Sequence, residues 1–366
     1  MPRDTRPSPQ TQLRISAWPK RKNAAFNPFQ ALLYDAVEAG GVARVEEFHP
    51  RQLLGIRRPD ILHIHWPDVF LAAGKGWRFW PRYILLRGLF ALAALRRIPI
   101  VWTAHNLLRE GQRNSSWMGR LFWPWFLRRV DAVLFMTEAS KQAAFDVAPD
   151  LEQKPHVVIP HGHYGPLIDP ERQRPAPATP PRILFFGAIT RYKQAHKVLR
   201  AFLDLPVGRA GLAIRGKMSG AEPDLELLMQ LDRLPAARRG EISFEDRFLE
   251  EDELVCAIDE ATLVVFPYTD VLNSGAAIFA LSVGCPVLAS DTALFRELQA
   301  QIGEGWVRLI DGALDGSQLA QGLAAAETLR KSGETPDLTP FDWSRIAALT
   351  VQFYRDVADP ASGGPS

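Results

Sequence analysis

At 366 residues, with 47% hydrophobic and 23% charged side chains, the chain is too long for one ordinary domain and too apolar for a disordered or fibrous protein, so two α/β domains are expected. The net charge of +2 conceals an asymmetry: residues 71–130 hold eleven Lys or Arg against one acid, Glu110, making that window about +10 and the remainder about −8. The longest apolar run, Tyr83 to Leu95, is interrupted by Arg87 and bounded by Arg82 and Arg96, well short of the roughly 20 residues that span a bilayer.

Residues 1–10 and 358–366 lack apolar periodicity and are expected to be frayed tails, and the N-terminus has no apolar core of the signal-peptide kind. Leu13 to Ala17 reads as a short strand. A Pro- and Asn-rich loop follows from Trp18 to Pro28, then a helix from Phe29 to about Glu38, closed by Gly40-Gly41. Val45 to Phe48 is a second strand, and Asp60 to His65 alternates into a third that delivers Trp66-Pro67-Asp68 to a loop. After a basic, aromatic helical stretch, Pro99 to Ala104 reads as a buried parallel strand ending in His105 and Asn106. Asp131 to Phe135 and His156 to Ile159 repeat the pattern, the latter running into Pro160-His161-Gly162-His163-Tyr164. Alternating strands and helices predict a parallel sheet with right-handed crossovers, in which ligands sit outside the carboxyl ends of the strands.

The Pro-dense residues 166–181 read as an interdomain linker, and a second α/β series follows. Its strands are expected at Arg182 to Phe186, ending in Gly187, at Ala210 to Arg215, ending in Gly216-Lys217, at Glu241 to Phe244, at Thr262 to Phe266 and at Val287 to Ser290. Helices are expected from about Gln194 to Leu203, Glu250 to Glu260 and Gly275 to Val283, with a last amphipathic helix from Phe341 to Arg355. The two cysteines, Cys256 and Cys285, have no metal-ligand spacing and read as small buried hydrophobes in a reduced, cytoplasmic setting.

The strongest constellation is Asn273-Ser274-Gly275, placed after a strand and opening a helix, where backbone N–H groups and the helix dipole favour phosphate oxygens. Its plainer reading is an Asn N-cap followed by a glycine in the first turn. Arg191 and Lys193 follow Gly187 closely, so they are placed to neutralise a departing diphosphate, with Lys217 as a weaker third cation. No Asp-x-Asp pair lies in a suitable loop, so neither a metal nor another cofactor is expected. In the first half, Asp68 and Glu110 lie just past strand ends and either is a candidate base, with His105 nearby; His65, His161 and His163 occupy similar positions.

Six of the ten tryptophans, Trp77, Trp80, Trp102, Trp117, Trp123 and Trp125, fall inside the basic window. Cations mixed with indoles in amphipathic runs suit an anionic lipid surface better than a nucleic-acid groove. Trp77, Trp80, Trp123 and Trp125 are therefore expected to face lipid, while Trp102 and Trp117 have core packing as the competing expectation.

The order of segments resembles the GT-B glycosyltransferases over roughly residues 12–355, through Trp102-Thr103-Ala104-His105-Asn106, residues 160–164, Phe185-Phe186-Gly187-Ala188-Ile189, Phe266-Pro267-Tyr268 and Asn273-Ser274-Gly275. The nearest likeness is to bacterial β-mannosyltransferases of xanthan-type exopolysaccharide assembly, which use GDP-mannose. The resemblance implies two Rossmann-like domains with parallel sheets facing a central cleft. Residues 11–165 would bind the acceptor and carry the membrane-facing segment, 166–181 would be the linker, 182–338 would hold the nucleotide-sugar, and 339–357 would be a helix crossing back. It also implies acceptor contacts from Asn27, His65, Trp66, His161 and His163, donor contacts from Gly187, Arg191, Lys193, Lys217, Asn273, Ser274 and Gly275, a lipid-linked glycan acceptor, and a peripheral location on the inner face of the plasma membrane. Two positions depart from the retaining members: the glutamates that these carry eight positions apart around the helix preceding the Gly-x-Pro-Val strand are matched by Val271 and Phe279. Inversion with a β-linked product is therefore expected. A retaining enzyme lacking the pair, and a catalytically silent binding protein, are the alternatives. The usual Gly-Gly of the first acceptor loop is replaced by Asn23 to Asn27.

Overall fold

The computed structural model describes residues 12–24, 27–67, 71, 76–105, 117–218, 222–269, 271 and 273–359. The chain divides into two units, Met1–Gly162 with Phe341–Ser366, and His163–Pro340. Asp68 and Glu110, the two candidate bases, lie outside the described residues.

The first unit holds a six-stranded parallel sheet in the order β2-β1-β3-β4-β5-β6. Its strands are β1 (Leu13–Trp18), β2 (Ala43–Glu47), β3 (Ile61–Ile64), β4 (Ile100–Thr103), β5 (Ala132–Phe135) and β6 (His156–Val158). β3, β4 and β5 are buried at every position, which is why they read as short apolar runs rather than alternating ones. The helix Phe29–Ala39 buries Phe29, Leu33, Tyr34 and Val37 at near-helical spacing, and these join a core shared with Trp343, Ile346, Val351 and Tyr354 of the last helix, Trp343–Ala358. The two helices are in contact, so the C-terminal segment completes the first unit.

The second unit repeats the plan with the order β12-β11-β10-β7-β8-β9. Its strands are β7 (Arg182–Phe186), β8 (Gly211–Gly216), β9 (Ile242–Asp246), β10 (Leu263–Phe266), β11 (Val287–Ser290) and β12 (Val307–Ile310). Hydroxyl and carboxylate caps start several helices: Asp224 accepts from Leu227 N–H, Thr292 from Phe295 N–H and Asp315 from Gln318 N–H. Residues 166–181 belong to this unit, where Arg172 and Arg174 lie 3.5 and 3.7 Å from the Asp259 carboxylate.

Two expectations need correction. Trp123 and Trp125 do not face solvent: they are 6% and 8% exposed, because the helix Trp117–Arg129 turns them inward onto Trp102, Phe122 and Phe126. Trp117, at the first turn of that helix, is instead exposed and stacks at a tilt on Trp80, 5.6 Å between centroids. Of the cysteines, Cys285 is buried as expected, but Cys256 is exposed on the outer face of the helix Glu251–Glu260.

Candidate active site

In each sheet the strand order reverses once, between β1 and β3 in the first unit and between β10 and β7 in the second. At such a switch point two loops leave in opposite directions and open a crevice beyond the strand ends, which is where open α/β sheets bind ligands. Of the polar residues singled out from the sequence, His65 and His105 stand near the first point, and Lys193 and Ser274 near the second.

In the second unit, β7 is followed by Gly187 and the adjacent β8 ends on Gly216, with φ of +114° and +150°. The two backbones approach so closely that a Cβ on Gly216 would stand 1.8 Å from the Gly187 carbonyl oxygen. Only glycine allows this, and it leaves an open floor beside the strand ends. The turn Arg191–Lys193 follows, with Arg191 exposed and Lys193 half-buried. Lys193 Nζ lies 5.6 Å from the centroid of the Tyr268 ring, and burial lowers its pKa to about 8.

Tyr268 follows β10 and places its hydroxyl 3.1 Å from Ser274 Oγ. Ser274, not Asn273, caps the helix Gly275–Val283, accepting from the Ala277 N–H at 3.2 Å. Asn273 stands half-buried one residue before the cap. A partly desolvated ammonium, a glycine floor and a helix N-terminus thus meet at one switch point, a combination suited to an anionic phosphate group. Lys217 is drawn elsewhere: its Nζ is 3.1 Å from Asp246 Oδ1, so its charge is already compensated on the surface.

The first unit builds its switch point from imidazoles. His63 and His65 leave β3 on one face at a spacing of two, and Thr103 and His105 do the same from β4. His65 Nδ1 is 2.8 Å from His105 Nε2, and His65 Nε2 is 2.6 Å from the Tyr34 hydroxyl. Tyr34 also lies 2.8 Å from His63 Nδ1, which Tyr354 of the last helix approaches to 2.6 Å, while His63 Nε2 is 2.7 Å from Thr103 Oγ1. Trp66 stacks on His105 at 4.4 Å, and Phe29 meets the same ring edge-on at 5.2 Å.

Burial holds all of these histidines in the neutral form. His63 is lowered to about 3 by desolvation, and His65 and His105 lie well below the ordinary value because burial and then the neighbouring imidazoles disfavour a proton. His161 is lowered to about 4 by burial; its Nδ1–H donates to the Gly162 carbonyl at 2.8 Å and its ring rests 4.6 Å from Phe29. Gly162 is required because a Cβ there would overlap the Trp343 ring.

The remaining expected acceptor residues have local partners. Asn27 Oδ1 accepts from the Phe29 N–H at 3.1 Å, closing a local turn just before the first helix. His163 falls in the second unit, and its Nδ1 accepts from the Gly165 N–H at 3.0 Å. Tyr34, His63, Thr103 and Tyr354 were not singled out from the sequence. The one available signal was the His-x-His repeat at 63–65, which places both rings on one face of a strand; nothing in the spacing ties it to Tyr34 or Tyr354.

Residues 45–164 match the profile of Glycosyltransferase Family 4. A curated relative, GDP-mannose:glycolipid 4-beta-D-mannosyltransferase of Xanthomonas campestris pv. campestris, is 30% identical over 335 residues, 92% of this chain and 90% of the relative. Among solved structures, sucrose-phosphate synthase from Thermosynechococcus elongatus superposes with a TM-score of 0.66 at 17% identity, covering 96% of this chain and all of that one. Anabaena Alr3699/HepE in complex with UDP and glucose does so with a TM-score of 0.60 at 16% identity, over 96% and 99% of the two chains. The structures share the fold, and the mannosyltransferase shares the sequence along nearly the whole length. The chain belongs to the GT-B glycosyltransferases, in the family of that mannosyltransferase, and is a glycosyltransferase enzyme.

Proposed function

We propose that the enzyme transfers mannose from GDP-mannose, with inversion and without a catalytic metal, onto a lipid-linked oligosaccharide at the inner face of the plasma membrane during exopolysaccharide synthesis. The observation that carries this reading is the 30% identity with a GDP-mannose:glycolipid 4-beta-D-mannosyltransferase over 92% of the chain. The chemistry of the two switch points supports it. In the transfer the acceptor hydroxyl oxygen attacks the anomeric carbon, the bond from that carbon to the diphosphate oxygen breaks, and GDP departs with the bonding pair. Lys193, Arg191 and the N-terminus of the helix Gly275–Val283 would bear the charge developing on the diphosphate. The hydroxyl proton would pass to Asp68 or Glu110, the acids that follow His65 and His105 in the chain. Val271 and Phe279, standing where retaining relatives carry glutamates, support inversion.

The membrane part of the reading is supported by an exposed face on the first unit. Trp77 and Trp80 are 75% and 47% exposed, Ile84, Leu85 and Trp117 are exposed beside them, and Arg78 and Arg87 stand among them. Among the described residues no helix is long and apolar enough to cross a bilayer, so this face would lie on the surface. The test is a transfer assay with GDP-mannose and a lipid-linked acceptor in the presence of a chelator. A β-mannosyl product, read from the one-bond carbon–proton coupling of the new anomeric centre, is expected. An α-product would point to a retaining enzyme, and loss of turnover with the chelator would remove the metal-free part of the reading.

A further inference from the structure

A helix on the surface of a globular unit turns its apolar face inward and its polar face to water. The helix Phe79–Leu95 departs from this rule. At helical spacing Trp80, Ile84, Gly88, Ala91 and Leu95 fall on one stripe, and all five are exposed. The opposite face, with Phe79, Tyr83, Leu86, Leu89, Phe90 and Ala93, is buried. Both faces are thus apolar, and the outer stripe runs for about 22 Å at a rise of about 1.5 Å per residue. An uncovered apolar line of that length marks a contact surface.

The apolar line continues past the end of the helix. Leu54, Ile56 and Leu95 are 67%, 101% and 81% exposed. Two hydrogen bonds bring them together: Arg96 Nη2 donates to the Gly55 carbonyl at 2.7 Å, and Arg58 Nη1 donates to the Arg96 carbonyl. Arg51, Arg57, Arg58, Arg96 and Arg97 flank these three aliphatics in the chain. Carbonyl partners leave a guanidinium charge uncompensated, and among the described residues no carboxylate lies within ion-pair distance of any of the five. From Leu71 to His105 the sequence holds no acid, and Asp60, the nearest acid to Ile56 along the chain, accepts from the Arg14 N–H at 2.8 Å.

We propose that the helix Phe79–Leu95 lies lengthwise on an anionic bilayer, with Leu54, Ile56 and Leu95 as a second anchor whose arginines meet lipid phosphates. This extends the membrane contact proposed above from Trp77 and Trp80 to the far end of the helix, and it rests on that reading. Charge complementarity selects the partner. An apolar line with Arg78 at one end and five arginines at the other fits anionic headgroups above acyl chains, where aliphatic side chains enter the hydrocarbon boundary and guanidiniums stay at the phosphates. One anchor at the tryptophan end would let the first unit pivot. Two anchors on one line hold the helix axis along the surface, and with it the direction of the sheet it packs on.

The test uses the full chain with Cys256→Ser, which removes the exposed thiol, and single labelling sites at Ile56→Cys, Gly88→Cys and Leu95→Cys. No atom lies within 4 Å of a Cβ added at Gly88, so that site accepts a side chain. With vesicles of phosphatidylcholine and phosphatidylglycerol in equal parts, a polarity-sensitive fluorophore at each site should shift to the blue. Leu54→Ser, Ile56→Ser and Leu95→Ser together should weaken vesicle binding about tenfold with Tm nearly unchanged, as should Arg57→Gln with Arg58→Gln. Fluorophores at 56 and 95 that stay in water, in a protein that Trp77→Ser with Trp80→Ser still releases from vesicles, would overturn the second anchor and leave the first. Lipid-free dimers abolished by the Leu54, Ile56 and Leu95 substitutions would assign the face to a second copy of the chain and also overturn the proposal. Wild type that binds no anionic vesicle would remove the membrane reading as a whole.

Discussion

The two units share one plan and differ in what stands at the switch point. The first unit fills it with buried, uncharged imidazoles hydrogen-bonded to tyrosines, and the second with glycine floors, a half-buried ammonium and a helix N-terminus. The sheet topology supplies the place in both cases, and the side chains alone decide whether that place is neutral and rigid or positive and open. A neutral network suits hydroxyl recognition, where direction matters more than charge. A positive, backbone-lined floor suits a diphosphate, where charge must be met as it develops.

The contrast can be broken most severely at Lys193. Replacing it with Ala should lower transfer by about 10²–10³-fold, the range for losing one preorganised electrostatic partner, with little change in Tm. Because its pKa is lowered to about 8, donor affinity in wild type should weaken as pH rises from 7 to 9, and Lys193→Arg should remove that dependence. Calorimetric titration with GDP at both pH values measures this, and a flat profile in wild type would count against Lys193 as a phosphate ligand.

Next in size is Gly216→Ala. The added Cβ would overlap the Gly187 carbonyl and φ is positive, so a loss of about 3 kcal/mol or more is expected, read from urea unfolding. Acid should then separate the units. His63 and His161 are lowered to about 3 and 4, and His65 and His105 also lie below their unfolded value near 6.5. Between those limits the unfolded chain binds more protons, so this stabilisation is present above about pH 6.5 and is lost as pH falls, by up to about 1.4 kcal/mol per unit for each ring. Hydrogen exchange at pH 7.5 and 5.5 should show the first unit losing protection before the second; equal losses would contradict the neutral cluster.

The smallest effect is expected at the surface. Changing Trp77, Trp80 and Trp117 together to Ser should weaken binding to anionic vesicles about tenfold or more while leaving Tm nearly unchanged. Trp123→Ser and Trp125→Ser should do the reverse, lowering Tm because both indoles are packed inside. Vesicle sedimentation and melting curves on the two sets check the corrected surface.

Much of this was legible in the chain itself. Buried parallel strands announce themselves as short apolar runs ended by polar residues, so Ile61–Ile64, Ile100–Thr103 and Leu263–Phe266 were found within a residue or two, with His65, His105 and Ser274 near their ends. The helix Ala293–Ile302 and the strand Val307–Ile310 were not found. Both follow a long apolar stretch in which the change of period is hard to see. Trp123 and Trp125 were misplaced because composition reports that a segment is basic and aromatic, and only the rotation of the helix against its neighbours decides which indoles turn inward.

The amino-acid sequence by itself determined the alternation of strands and helices, the parallel sheets and the residues carried to the strand ends, because periodicity and local propensity act over a few neighbours. Only the tertiary structure decided the state of those residues. Tyr34, His63, His65, Thr103, His105 and Tyr354 come from two helices and two strands, and Tyr354 reaches His63 across 291 residues of chain. Burial sets the charge of an imidazole and the partner opposite sets its tautomer, and both are properties of what folds against it rather than of its neighbours in sequence.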